Sequence, residues 1–161
     1  MRKIFLVSIC VLVLFLAEFF LFNLAGRWFM PNLLLLAIIY FNLAFGIRYS
    51  IFTAILAGML RDSFSTDIFG LNIFSFMLCA YMTTVLKRYL HYVASRRSRL
   101  LLVFSVTVIN MAIHLCFHMM LGKIPIAQVF KFVFVPEILT TLVVTSFVFI
   151  QLQKCVSKLF V

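Results

Sequence analysis

Apolar residues fall in long unbroken runs along this chain, and the charged residues gather in the short gaps between them. A hydrocarbon layer roughly 30 Å thick takes about 20 apolar residues to cross as a helix. The runs predict six helices, over residues 4–25, 31–46, 49–64, 68–86, 100–121 and 129–151. Backbone in lipid has to satisfy its own hydrogen bonds, which restricts spanning structures to helices and closed barrels. Barrel strands alternate apolar and polar positions, and these runs do not. The pattern therefore specifies an all-α, polytopic membrane protein of six transmembrane helices, forming a single integral membrane domain over residues 1–161.

The third run is the anomaly. Only twelve uncharged residues separate Arg48 from Arg61, about 18 Å of helix at 1.5 Å per residue. Such a helix draws Arg61 and Asp62 toward lipid, tilts little, or is supported by protein on its flanks. Unusually short segments in a bundle point to functional sites. Ala54, Gly58 and Asp62 follow one another at i+4 intervals and share a face. Small residues there permit close helix approach, so the face either binds another membrane protein or packs a neighbouring helix, and Asp62 closes it at its end.

A carboxylate at membrane depth needs a partner. Arg61 is adjacent in sequence and points in a different direction. Arg27, the base closing the first run, is the candidate for an ion pair with Asp62, with Asn72 or backbone amides as alternatives. The role of Asp62 is then an ion pair or cap, a contact with a partner protein, or proton chemistry.

Composition agrees with the pattern. The chain is 66% hydrophobic, contains 21 Phe, and is 11% charged, against about 25% charged in average globular chains. No water-soluble domain of useful size is left over. The net charge of +10 sits at the edges of apolar runs, which speaks for the positive-inside rule and against nucleic acid. With the N-terminus in the cytoplasm, Arg2, Lys3, Arg48, Lys87, Arg88, Arg96, Arg97, Arg99, Lys154 and Lys158 lie inside. Arg27, Arg61, Lys123 and Lys131 lie outside, so ten of fourteen bases are internal and both termini are placed in the cytoplasm. The first apolar run, about 20 residues with no small-residue cleavage site after it, reads as an uncleaved helix rather than a signal peptide.

Between the fourth and fifth runs, Lys87, Arg88, Arg96, Arg97 and Arg99 surround an aromatic patch in which Tyr89, Tyr92 and Val93 make one stripe at helical spacing. Such a segment anchors topology and can lie on anionic lipid, each base worth about 1 kcal/mol there, or dock a cytoplasmic partner. Thr66 or Asp67 suits the cap of the fourth helix, and Pro31 the first turn of the second. Glu18 and Glu137 are single acids inside apolar runs, readable as buried hydrogen bonds, partner contacts or proton sites. Pro136 is expected to kink the last helix, with Thr140 or Thr141 hydroxyls satisfying the freed carbonyls.

Candidate chemistry is thin. Cys10, Cys79, Cys116 and Cys155 stand alone with no C-x-x-C pair, and read as small apolar fillers. His114 and His118 have the i, i+4 spacing of metal ligands but no evident third ligand, so neither a metal nor a cofactor is expected. The sequence lacks H-E-x-x-H, G-x-S-x-G, G-x-G-D and G-x-x-x-x-G-K-[ST]. Catalysis and ATP-driven transport are not expected.

The order Pro31-Asn32-Leu33-Leu34, then Gly58-Met59-Leu60-Arg61-Asp62-Ser63, then Ile68-Phe69-Gly70-Leu71-Asn72 resembles the rod shape-determining protein MreD family. That pattern opens a helix with P-x-L/I-L, ends another with G-L-x-x-D, and enters the next through G-L-N. The motif-bearing part covers roughly residues 31–90. By matching position, Pro31, Gly58, Asp62, Gly70 and Asn72 are the family residues, whereas Arg61 stands where an apolar residue is commoner.

The resemblance implies a non-catalytic inner-membrane scaffold of the bacterial cell-elongation (rod shape, peptidoglycan synthesis) machinery. The partners it implies are MreC, and through it or directly MreB, RodA and a penicillin-binding transpeptidase. It also implies a fold similar to the substrate-binding subunits of energy-coupling-factor transporters. The competing class is therefore a substrate-capture subunit of a vitamin-type transporter, which needs convergent polar groups near one membrane face.

Overall fold

The computed structural model describes residues 2–25, 31–64, 69–89, 96–120 and 135–160. Among the described residues there are six helices: α1 Arg2–Ala25, α2 Leu33–Phe45, α3 Ile47–Phe64, α4 Leu71–Tyr89, α5 Arg96–Met120 and α6 Val135–Phe160. Three stretches, Ile4–Leu24, Arg97–Met120 and Pro136–Val156, are long and apolar enough to cross a membrane. These lie in α1, α5 and α6. Polar residues such as Ser50, Thr53 and Asp62 on α3, and Asn72, Ser75 and Thr83 on α4, are turned inward.

The short helix α2 is the axis of the bundle. Its run Leu33-Leu34-Leu35-Leu36-Ala37-Ile38-Ile39 offers no polar face, and a helix apolar all round has to be buried. Every residue from Leu33 to Asn42 is buried, and α2 touches all five other helices. Around it α1 packs on α3, α3 on α4, α4 on α5, and α5 on α6. The thiols of Cys10 and Cys155, 4.0 Å apart, bring α6 back against α1. The outward surfaces of the ring are also apolar, with Phe5, Phe20, Leu24, Val143 and Phe147 exposed. Apolar side chains both inside and outside are what a lipid-immersed bundle presents, since lipid tails are as apolar as the core.

Successive helices run in opposite directions. Gly46 alone joins α2 to α3, at φ 89° and ψ −178°, a backbone region essentially restricted to glycine. The turn folds α3 back along α2, where the Ser50 hydroxyl donates to the Ile38 carbonyl at 3.1 Å. At this same end of α2, the Asn42 amide nitrogen donates to the Ala80 carbonyl at 2.8 Å and to the Thr84 hydroxyl at 2.9 Å. The Lys87 ammonium donates to the Leu43 carbonyl at 3.4 Å, a cation at the negative end of the helix dipole. Ser75 donates to Asn110, tying α4 to α5.

The shortness of the third run is resolved by its surroundings. Helix α3 has 18 residues and includes Arg48, Arg61 and Asp62 within its length. It is flanked by α1, α2 and α4. One expectation shifts at a helix start. Asn32, rather than a residue inside the helix, caps α2, its side-chain oxygen accepting from Leu35 N at 3.1 Å, so Pro31 lies just outside the first turn. Pro136 is the second residue of α6 as described, and the residues before Val135, on which the expected kink depends, lie outside the described residues. The Thr140 hydroxyl donates to the Pro136 carbonyl at 2.8 Å.

Candidate functional site

The acids converge on one end of the bundle, where α1 and α3 finish and α2, α4 and α6 begin. The first four amides of any helix lack partners within the helix. Here carboxylates from neighbouring helices supply them.

Asp62, in the last turn of α3, holds the start of α4. One carboxylate oxygen accepts from Gly70 N at 2.9 Å and Ile73 N at 3.3 Å. The other accepts from Asn72 N at 3.1 Å and the Asn72 side-chain amide at 2.8 Å. Four donors thus converge on a side chain that is 4% exposed, and the negative charge sits at the positive pole of α4. Gly70 adopts φ 100°, which favours glycine and turns its amide toward Asp62.

Gly58 makes this reach possible. A Cβ at that position would lie 2.5 Å from Ile73 Cα and 2.8 Å from Ile73 N, so the two backbones are in direct contact. Ala54, one turn earlier, is buried. The face Ala54–Gly58–Asp62 expected from spacing is turned inward against α4, so it packs a neighbouring helix and is not open to a partner protein. Of the alternatives open for Asp62, Asn72 and backbone amides are its partners. Arg27 lies outside the described residues, as do Thr66, Asp67, Tyr92 and Val93.

A second constellation holds the start of α2. Glu18, from α1, accepts from Leu34 N at 3.3 Å. Asn32 donates through its backbone N to the Thr141 hydroxyl at 3.1 Å, and through its side chain to Glu137 Oε1 at 3.2 Å, both on α6. Arg61 stands beside them, its Nη1 3.5 Å from Glu18 Oε1. Its guanidinium lies 5.7 Å from the Phe76 ring centre, within cation–π range. That Nη1 is shielded from solvent and makes no hydrogen bond. Arg61 therefore acts as a point of positive charge for Glu18 rather than as a fork clasping it.

Sequence reasoning singled out Glu18 and Glu137 without placing them together, and it missed the Glu18–Arg61 pair. The available signal was that a lone acid inside an apolar run demands a cation, and Arg61 is the base that departs from the family pattern. Asn32 was also missed as the hub joining α2 to α6.

The bases that flank the α4–α5 connection occupy the opposite end. Lys87 and Arg88 close α4, and Arg97 and Arg99 lie in the first turn of α5, with Arg88 and Arg97 exposed. Arg96 opens α5. Among the described residues no group of three His, Cys, Asp or Glu could hold a metal. His114 and His118 lie toward the end of α5.

The acidic end thus holds helix starts in place. No curated protein and no solved structure matches the chain. The model of the family described as rod shape-determining protein MreD matches residues 1–160. The chain belongs to the MreD family and is a membrane protein of rod-shape determination.

Proposed function

We propose that the chain is a non-catalytic scaffold of the cell-elongation machinery, in the bacterial cytoplasmic membrane, with six spanning helices and both termini cytoplasmic. The observation that carries this reading is the use made of the acids. Glu18, Asp62 and Glu137 all hold helix starts to their neighbours, which yields a stiff frame rather than a reactive centre. The partner expected first is MreC, with MreB, RodA and the penicillin-binding transpeptidase engaged directly or through it, toward peptidoglycan synthesis. The outward apolar faces of the ring suit helix-to-helix contact with single-span and multi-span proteins in lipid.

The distribution of bases supports the orientation, because the Lys87–Arg99 end carries the larger share of positive charge. On this reading the acidic end faces outward, and Lys87, Arg88, Arg96, Arg97 and Arg99 meet anionic lipid or a cytoplasmic partner. The family resemblance also supports a fold similar to the substrate-binding subunits of energy-coupling-factor transporters, and with it the competing reading as a substrate-capture subunit.

Copurification separates the two. A scaffold brings down a single-span protein with a large external domain. Recovery of an ATPase module or a stoichiometric vitamin, with no such protein, overturns the scaffold. Single cysteines at positions 48 and 67 in a cysteine-free background test the crossing, the first labelled from inside and the second from outside; labelling of both from one side overturns the topology.

A further inference from the structure

Opposite the carboxylates, α2, α4, α5 and α6 part to leave a crevice. Its larger lobe, about 410 Å3, is lined by residues including Tyr40, Leu43, Lys87, Arg99, Phe149 and Gln153. A second lobe of about 250 Å3 shares Arg99, Phe149 and Gln153 and adds Leu100, Thr145 and Ile150. Arg99 stands where the two meet.

The lining has two chemistries. Among the described residues its polar part comprises two cations, an amide and the hydroxyls of Tyr40, Thr145 and Ser146, and no carboxylate. The described acids, Glu18, Asp62 and Glu137, are all at the other end of the bundle. Arg99 Nε is shielded from solvent and makes no hydrogen bond; a buried donor left unmatched calls for an explanation. Lys87 gives one hydrogen bond to Leu43, and an ammonium carries three donors. The remaining wall is aromatic and aliphatic. A free inorganic anion has no use for that wall, whereas a phospholipid presents an anionic phosphate joined to apolar chains.

We propose that this crevice is a binding site for an anionic phospholipid, with Arg99 and Lys87 on the phosphate oxygens and an acyl chain along Phe149, Leu100 and Ile150. Arg–phosphate contacts are charge-assisted and strong. Both bases lie at the ends of apolar helices, the depth of lipid headgroups. The proposal rests on reading this end as the one that meets the cytoplasmic leaflet.

The test uses the full chain in detergent, titrated with dioleoyl phosphatidylglycerol or dioleoyl phosphatidylcholine and read by native mass spectrometry. The expected result is one retained phosphatidylglycerol, held about tenfold more tightly than phosphatidylcholine. Arg99→Gln and Lys87→Gln each weaken it about fivefold or more, while Arg99→Lys retains part of the affinity. Arg48→Gln, at an exposed base outside the crevice, changes it less than about twofold.

Equal losses from all three Gln variants show diffuse surface charge and overturn the site. Displacement of the lipid by millimolar inorganic phosphate shows a free-anion site and overturns the lipid assignment. A monodisperse elution profile for each variant excludes misfolding as the cause of lost binding. The measurement is independent of sidedness, so the cysteine labelling above reports a failure of the orientation separately.

Discussion

A methyl group on Gly58 would fall 2.5 Å from the Cα of Ile73, so α3 and α4 meet here backbone against backbone. One turn further along α3, that closeness lets the Asp62 carboxylate reach the amides that open α4. The close packing and the cap are two parts of one joint.

Gly58→Ala is therefore expected to push the helices apart at this joint. Overpacking a tight contact costs about 1–3 kcal/mol, and a shift of α4 also lengthens the Asp62 hydrogen bonds. The measurement is thermal unfolding in detergent. Ala54→Gly, on the same face without that backbone contact, is the comparison and should lose less. Equal stability of Gly58→Ala and the parent protein refutes the joint.

Asp62→Asn tests the cap itself. Asparagine keeps the shape but presents an amide nitrogen where one acceptor oxygen stood, toward N–H donors. Hydrogen bonds to a charged group contribute about 1.5–3 kcal/mol each, so even partial loss lowers the melting temperature markedly. The exchange Arg27→Asp with Asp62→Arg is expected to bring no recovery over the single changes, because arginine at 62 has no acceptor for Gly70, Asn72 and Ile73. A stable double variant would make the pairing with Arg27 dominant after all.

Glu18 and Arg61 are expected to be coupled. Arg61→Met removes the cation beside a buried carboxylate, and breaking such a pair on one side costs about 3–5 kcal/mol when both groups are buried. Arg61 is about a quarter exposed, which reduces the loss. Adding Glu18→Gln, which still accepts from Leu34 N, should recover part of it. A double-mutant cycle in thermal stability reads the coupling; strict additivity means that the two side chains act independently.

Cys10 and Cys155 supply a test of ring closure. Their sulfurs are 4.0 Å apart, and a disulfide needs about 2 Å, a distance that small rotations supply. Mild oxidation of the detergent-solubilised protein should link α1 to α6 within one molecule, detected as a bridged peptide pair after proteolysis. Cys79 and Cys116 should remain unpaired. Failure of the link under conditions that oxidise an exposed control thiol would open the ring between α1 and α6.

Much of this arrangement was legible in the residues taken alone. Unbroken apolar runs specify helices, and the i+4 spacing of Ala54, Gly58 and Asp62 marks a packing face. Asp62 was recognisable as an acid in need of a partner, with Asn72 among the alternatives. What spacing does not reveal is which helix ends meet. The gathering of Glu18, Asn32, Arg61 and Glu137 unites residues from four helices, and nothing local to any one of them encodes the encounter. The enclosure of α2 did have a signal, since its start is apolar on every side.

That enclosure has a consequence for how variation in such a protein registers. No other polypeptide touches Leu34 or Ile38 unless the surrounding helices separate, so a substitution on the axis changes how much protein accumulates, not which neighbour it chooses. Choice of neighbour belongs to the five outer helices. Genetic lesions on the axis and on the rim should therefore sort into two distinguishable phenotypes.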